Sequence, residues 1–530
     1  MGSRLIPLVP PAKGLNTINP LVDFESGYAR ELTNYFMTTG GLKIRPNVGN
    51  IYIKTGANTI FHHDGQYAIS DNGDIYNLAT NSTSSDIGGA CQRRAGSYVK
   101  HLSLDLVFGG RQPRIVAYPF TAWTITPISG GITATAIVAG CSHKARLYYT
   151  DGTTIEYTDI GQITGAVVDG FGGKFLVSQF MDGQLISRIF SITAPSGNLT
   201  ENVFVIFGKG GKVLVYAGDY PGSASWSLIG THDMSAPIGG DVGYVEKDGD
   251  IYVPTLKYAY LARDLLLGGG YAYENRLTKD IENLWQNQNW GQPTAAEVPH
   301  SFHLDRDSVS GTIYDLFITM CSQWDVDFGA GGRYKNDGMY FVYNRINKHW
   351  SIWIMTPLYA PVRAVAGIVT GTTEDGGLSY IGNDPEMRDF YELSNAAATV
   401  DIITSWKTPY TPYYEGRYQK LTGVRPFFKN TSSGYLDKFR AIYDYSDLNA
   451  PYGFYTQPLS TEINPDKFSD AQIDLAMNTH GYYQGFKGLA GAGTSVSLQF
   501  SQTRKQGSAN KQSHEVYGGT AYVSDGGILY

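Results

Sequence analysis

Short runs of β-branched and aromatic residues, each opened or closed by glycine, recur along most of this 530-residue chain. Residues 65–69 (GQYAI), 73–78 (GDIYNL), 173–177 (GKFLV), 211–216 (GKVLVY), 249–253 (GDIYV), 338–343 (GMYFVY) and 377–381 (GLSYI) are examples. β-Branched and aromatic side chains suit a pleated, half-buried backbone. Glycine, with the Asp or Asn before it, supplies the positive φ that tight hairpin turns need. Many such hairpins in one long chain predict a mainly β fold: a β-propeller, or stacked sheets of similar design. At roughly 40–50 residues per blade the pattern predicts about six or seven blades between residues 51 and 400.

The elements divide the chain into three parts. Residues 1–22 carry Pro7, Pro10, Pro11 and Pro20 and read as an extended arm. In the next stretch (28–47, YARELTNYFMTTGGLKIRPN) Tyr28, Leu32 and Tyr35 are spaced to share one face of a short helix. Gly40 and Gly41 then break it, and Pro46 enforces an extended path on Arg45. Residues 1–50 are therefore an arm followed by helix, turn and strand. Within the propeller region, 150–161 (TDGTTIEYTDIG) and 177–190 (VSQFMDGQLISRIF) predict hairpins. The stretch 211–230 predicts an inner strand pair ending in a Trp-bearing strand, and Asn344–Lys348 a turn between two aromatic strands. A helical interlude is expected over 261–270 and 273–290, where Leu277, Ile281, Leu284 and Trp285 form one apolar stripe. Beyond residue 400 the texture changes. Residues 401–530 read as an additional β-rich C-terminal domain or platform contact region, with few short helices in the whole chain.

Composition sharpens this picture. Charged residues are only 17% of the chain, while Tyr reaches 39 copies and Gly 63. Tyr fills sheets well and also suits surfaces half buried against a partner. The net charge of −7 argues against a protein that grips nucleic acid through its phosphates. It fits a wall past which DNA slides, and predicts an electronegative lumen. Cys91, Cys141 and Cys321 are odd in number and far apart, which fits a reducing compartment rather than a disulfide framework. The start lacks a signal-peptide core, and no apolar run approaches the roughly 20 residues of a membrane span.

Candidate chemistry is sparse. GKGGK (208–212) lacks the glycine and the hydroxyl residue of a phosphate-binding loop, and a turn explains it. His300 and His303 sit beside Asp305 and Asp307, but on a strand positions i and i+3 face opposite ways. His62 and His63 diverge for the same reason, and residues 305–311 lack the ligands of a calcium loop. Ser97–Lys100 matches S-x-x-K in surroundings that read as extended, and 70–73 (SDNG) is a hairpin turn. Two carboxylate pairs, Asp325 with Asp327 and Asp384 with Glu386, are the only hints of sugar chemistry. The simpler reading is a solvated loop or subunit contact. No catalytic, cofactor-binding or metal-binding residue is assigned.

Three blocks resemble one family. They are GLNTINPLVDFESGYARELTNYFMTTGGLKIRPN near the start, GDIYVPTLKYAYLARDLLLGGGYAYENRLTKDIENLW in the middle, and GMYFVYNRINKHWSIW followed by GLSYIGNDPEMRDFYEL. In order and texture, over residues 14–395, the chain is similar to the propeller-bearing tail nozzle, or packaged-DNA stabilisation, proteins of short-tailed bacteriophages. The resemblance implies a structural virion protein made in the host cytoplasm. It implies a homohexameric ring below the portal and tail adaptor, retaining the packaged double-stranded DNA and conducting it at ejection. Tail fibres or spikes dock on such a ring, and no enzyme activity or cofactor is implied. The expected interface residues lie in the first block: Glu31, Asn34, Tyr35, Gly40, Gly41, Arg45 and Pro46. The arm 1–22 is expected to reach a neighbouring subunit or the adaptor. A glycan-binding or glycan-cleaving propeller is the alternative reading, resting on Asp325 and Asp327.

Overall fold

The computed structural model describes residues 4–18, 27–38, 41–44, 47–53, 60–63, 67–70, 74–77, 82–86, 98–102, 104–107, 114–117, 122–125, 128–129, 137–163, 165–166, 168–169, 180–196, 199–238, 243–267, 275–288, 290, 301–306, 313–320, 338–355, 379–381, 386–391, 402–414, 417–430, 436–443, 468–474, 482–483, 487–488, 492–504 and 514–528. Over these the chain is mainly β, with two short helices, Ala262–Leu267 and Glu282–Gln286.

A succession of small antiparallel sheets follows the chain order. Ile60–His63, Tyr67–Ser70, Asp74–Asn77 and Ser82–Asp86 form one; Tyr98–His101, Leu104–Val107, Arg114–Ala117 and Ala122–Ile125 the next. Ala139–His143, Arg146–Thr150, Ile155–Tyr157 and Val168–Asp169 come third, then Ile186–Ser196, Leu199–Gly208, Lys212–Ala217 and Ser227–Asp233. A three-stranded sheet (Val245–Lys247, Asp250–Pro254, Ala259–Leu261) precedes the meander Ser301–Arg306, Ile313–Met320, Gly338–Asn344 and His349–Met355. Ser379–Ile381 and Glu386–Tyr391 are completed by Asn47–Ile53, a strand that precedes the first sheet. The first strand of one sheet lies against that of the next at 98–101 with 139–143, 139–143 with 186–196, and 245–247 with 301–306. Sequential meanders, touching at their first strands and tied end to beginning, make a propeller-like arrangement.

Local chemistry places the turns. Asp151 Oδ1 accepts hydrogen bonds from the Thr153 and Thr154 amides at 2.8 and 2.7 Å, closing the expected hairpin between Arg146–Thr150 and Ile155–Tyr157. Asn344 Oδ1 does the same for Ile346 and Asn347 at 2.9 and 3.1 Å, in the turn expected there. The core lies between sheets. Phe190, Ile192, Val205 and Val213 pack on Tyr244, Ile251, Val253 and Leu265. Tyr148, Ile155 and Tyr157 pack on Ile189, Phe204 and Leu214.

Two larger sheets hold the C-terminal strands, and both include residues from the first 50. One continues outward from His349–Met355 through Glu31–Thr33 to Ile402–Lys407, Val496–Arg504, Leu436–Tyr443 and Phe468–Asp474. The other joins Arg417–Asn430 to His514–Ile528, against which lie Leu42–Ile44 and Arg4–Leu8, with Tyr35–Met37 beyond Leu42–Ile44.

Three expectations are corrected. Tyr28, Leu32 and Tyr35 do not share a helix; the segment is a chain of short strands, Tyr28–Ala29, Glu31–Thr33 and Tyr35–Met37. Residues 31–37 are buried without interruption, so their apolar spacing records burial on both faces rather than a helical stripe. The helix expected over 273–290 is reduced to Glu282–Gln286, with Ile281, Leu284 and Trp285 buried and Leu277 packed beside them from irregular backbone. Residues 177–179 of the expected 177–190 hairpin lie outside the described residues; the rest hold a turn at Asp182 and Gly183, both at positive φ, and a strand beginning at Ile186. Ser227–Asp233 is the outer strand of its sheet, not an inner one, and most of its residues are exposed.

Candidate functional site

The block 27–44, which carries most of the expected interface residues, is the thread between the meanders and the C-terminal sheets. Tyr28 and Ala29 pair in parallel with Gly14 and Leu15. Glu31, Leu32 and Thr33 then lie opposite Lys407, Trp406 and Ser405, while Thr33 also pairs in parallel with Ile352. One three-residue strand thus joins the outer edge of the 301–355 sheet to the C-terminal strands. Glu31 and Lys407 stand opposite one another in the ladder, both buried, and Lys407 Nζ lies 5.6 Å from the Tyr410 ring centroid.

At Asn34 the chain leaves this sheet for the other. Its φ of 56° is left-handed, a conformation that Asn tolerates better than other side chains except glycine, and its amide donates to the Ile352 carbonyl at 2.7 Å. Tyr35, fully buried, stacks on Phe500 at 6.4 Å, and its carbonyl accepts from Trp353 Nε1 at 3.3 Å. Asn344 Nδ2 and Asn347 Nδ2 donate to the Met37 carbonyl at 2.9 and 3.2 Å. Gly41 turns the chain back. Its amide donates to Thr38 Oγ1 at 3.2 Å, and a Cβ there would come within 2.5 Å of the Val516 carbonyl oxygen. Of the seven expected interface residues, Glu31, Asn34, Tyr35 and Gly41 are thus brought together as internal joints of this chain. Gly40, Arg45 and Pro46 lie outside the described residues. Within the described part of the arm, residues 4–18, Arg4–Leu8 pairs with Gly519–Val523 and Gly14–Leu15 with Tyr28–Ala29, all of its own chain.

A second polar cluster lies between neighbouring meanders. His303 Nε2 is 2.8 Å from Asp315 Oδ1, and Arg345 reaches Asp315 and Asp248 at 2.9 Å each while lying over the Phe317 ring. Burial alone would raise the Asp315 carboxyl, but His303 and Arg345 hold it below the usual carboxylate range. His303 faces Asp315 on the adjacent strand. Nothing local in H-x-x-H pointed to Asp315, twelve residues on.

The GKGGK stretch is a turn whose amides are already engaged. Gln184 Oε1 accepts from Gly210 and Lys212 at 3.0 and 3.1 Å, so no anion cradle is open. Lys100 lies on the strand Tyr98–His101, not on a helix. Among the described residues no group of three or more His, Cys, Asp or Glu is placed to hold a metal ion. No helix among them is long and apolar enough to cross a membrane. Asp325, Asp327, Asp384, His300 and Asp307 lie outside the described residues.

No family model matches the chain, and no curated protein does. Among solved structures it is similar to the WD40 domain of Pan2 from Neurospora crassa, at 9% identity and a TM-score of 0.38, over 67% of this chain and 96% of that one. It is also similar to the extracellular domain of the hybrid two-component system BT4673 from B. thetaiotaomicron, at 9% identity and a TM-score of 0.39, over 74% and 45%. A third is BBS1N, solved in complex with ARL6DN, at 12% identity and a TM-score of 0.33, over 66% and 96%. At these values the likenesses carry no function to this chain.

Proposed function

We propose that this chain is a seven-bladed propeller with a fused C-terminal β module, and that it is the subunit of a phage tail nozzle. In this reading a ring of copies sits below portal and adaptor, retains packaged DNA, and becomes its conduit at ejection. The observation that carries the reading is the threading of residues 27–44. The first of the three blocks that carry the family resemblance is the one that welds the meanders to the C-terminal sheets. A wall that confines DNA under pressure has to be rigid across its parts, and strand pairing through one shared segment supplies that. Closure of the meanders by Asn47–Ile53 supports the same reading, because it leaves no free end between first and last blade.

The test is a null allele of the gene in its source phage, with microscopy of the particles. The nozzle reading predicts heads that package and then lose their DNA. Filled particles with complete tails that fail only on encapsulated cells would overturn it and favour sugar binding or cleavage.

A further inference from the structure

Five of the ten histidines, His62, His63, His101, His143 and His303, lie on the first strand of a meander. Two of them do the same thing at successive junctions. His101 ends the strand Tyr98–His101, and its Nδ1 is 2.8 Å from the hydroxyl of Ser142 on the next first strand. His143 ends that strand, and its Nδ1 is 2.8 Å from the hydroxyl of Ser191 on the one after. Both histidines are followed by a residue at positive φ, Leu102 and Lys144. The bonded pairs are 41 and 48 residues apart, one meander length each.

We infer that a repeated imidazole–serine latch closes the junctions between the 98–125, 139–169 and 186–233 sheets, and that acid opens these junctions. Both rings are almost wholly buried; Nε2 of neither makes a well-formed hydrogen bond, though the Gly218 backbone lies within reach of the His143 ring. A neutral ring tolerates this by leaving Nε2 as the bare acceptor. An imidazolium carries a second N–H that must be satisfied, so the charged form of His101 is accommodated only when water enters its junction, while that of His143 has the Gly218 backbone alone to set against its lost hydration. The surroundings of His143 offer little relief. Tyr148, Phe204 and Trp226 face it with their rings; Lys144 repels a proton, while the Gly218 backbone and the Asp219 carboxylate attract one. Lys144 is itself 3.6 Å from both Glu201 and Asp219, which occupies part of that attraction. The outcome is a pKa lowered to about 4, chiefly by burial. His101 is lowered by burial, with no charged group among the described residues shifting it. His303 makes the contrast: its partner is the carboxylate of Asp315, with which a protonated ring forms an ion pair.

Cys141 lies on the strand between the two latches, buried, and reports on them. In a Cys91→Ser, Cys321→Ser parent it is the sole thiol. Its labelling by a pyridyl disulfide reagent, relative to free cysteine at the same pH, measures opening. The parent is expected to label roughly thirtyfold faster at about pH 5 than at pH 7.5, from roughly tenfold per pH unit below the ordinary His pKa, with circular dichroism unchanged. Adding His101→Gln and His143→Gln removes that rise. A parent that labels at one rate at both pH values, one that loses its circular dichroism alongside, or a double variant that keeps the rise contradicts the inference. Should the Gln pair not fold, Ser142→Ala with Ser191→Ala breaks the latches and keeps the histidines. Faster labelling at pH 7.5 is then expected, and an unchanged rate overturns the latch.

Discussion

Gly14 lies directly against His349: a Cβ built on Gly14 would overlap the His349 side chain, and Gly14 holds a φ of 77°. The two residues fasten the N-terminal segment to the outer strand of the 301–355 sheet. Gly14→Ala therefore meets both a steric and a backbone penalty, and should lower stability by about 2 kcal/mol. Denaturant titration checks the loss, and hydrogen exchange should place it in residues 4–18.

His349 also makes the fold acid-sensitive. It is buried, and burial lowers its pKa to about 4. The unfolded chain titrates near 6.5, so between these values the unfolded state binds more protons. The contribution is complete above about pH 6.5, is lost as pH falls toward 4, and does not change further below that. One such group accounts for about 3 kcal/mol across the window. Chemical denaturation at several pH values should show this slope, and His349→Gln should flatten it.

Asn34 is where the chain crosses between the two large sheets with a left-handed backbone. Asn34→Gly keeps that conformation and should cost under about 1 kcal/mol, while Asn34→Val should cost about 2 kcal/mol or more. Equal losses for the two in thermal or denaturant unfolding would show that the backbone conformation is not the constraint.

Trp285 sits among Trp290, Phe341 and Trp350 at 4.7, 5.0 and 5.6 Å, and its Nε1 donates to the Thr255 carbonyl at 2.9 Å. It joins the interlude to two meanders. Trp285→Ala should cost about 3–5 kcal/mol, and Trp285→Phe less, because most of the volume is kept.

What the sequence disclosed follows from range. Glycine-bounded aromatic runs coincide with strands wherever they are described, 173–177 lying outside the described residues, and turns form at Asp151 and Asn344, because both signals act over a few residues. The stripe of Ile281, Leu284 and Trp285 marked core positions correctly although the helix there spans only five residues. Between Tyr28 and Tyr35 short strands stand where the spacing suggests a helix, because a segment buried on both faces loses the two-residue alternation that marks a strand, while the extended path after Gly41 is legible and forms Leu42–Ile44. Closure by Asn47–Ile53 and the pairing of Arg4–Leu8 with the C-terminal strand join residues hundreds of positions apart, which no local pattern records. The latches are an intermediate case. Their His-to-Ser separations match the predicted blade length, yet that regularity is visible only once the first strands are known.

The central claim is that this protein retains packaged DNA as part of a tail, and adding it back tests that most directly. Particles from the null allele are mixed with purified protein, and nuclease-resistant DNA and infectivity are measured. The account predicts nuclease-sensitive genomes without the protein and restored protection and infectivity with it. Particles that hold their DNA without it, or that gain nothing from it, would contradict the account.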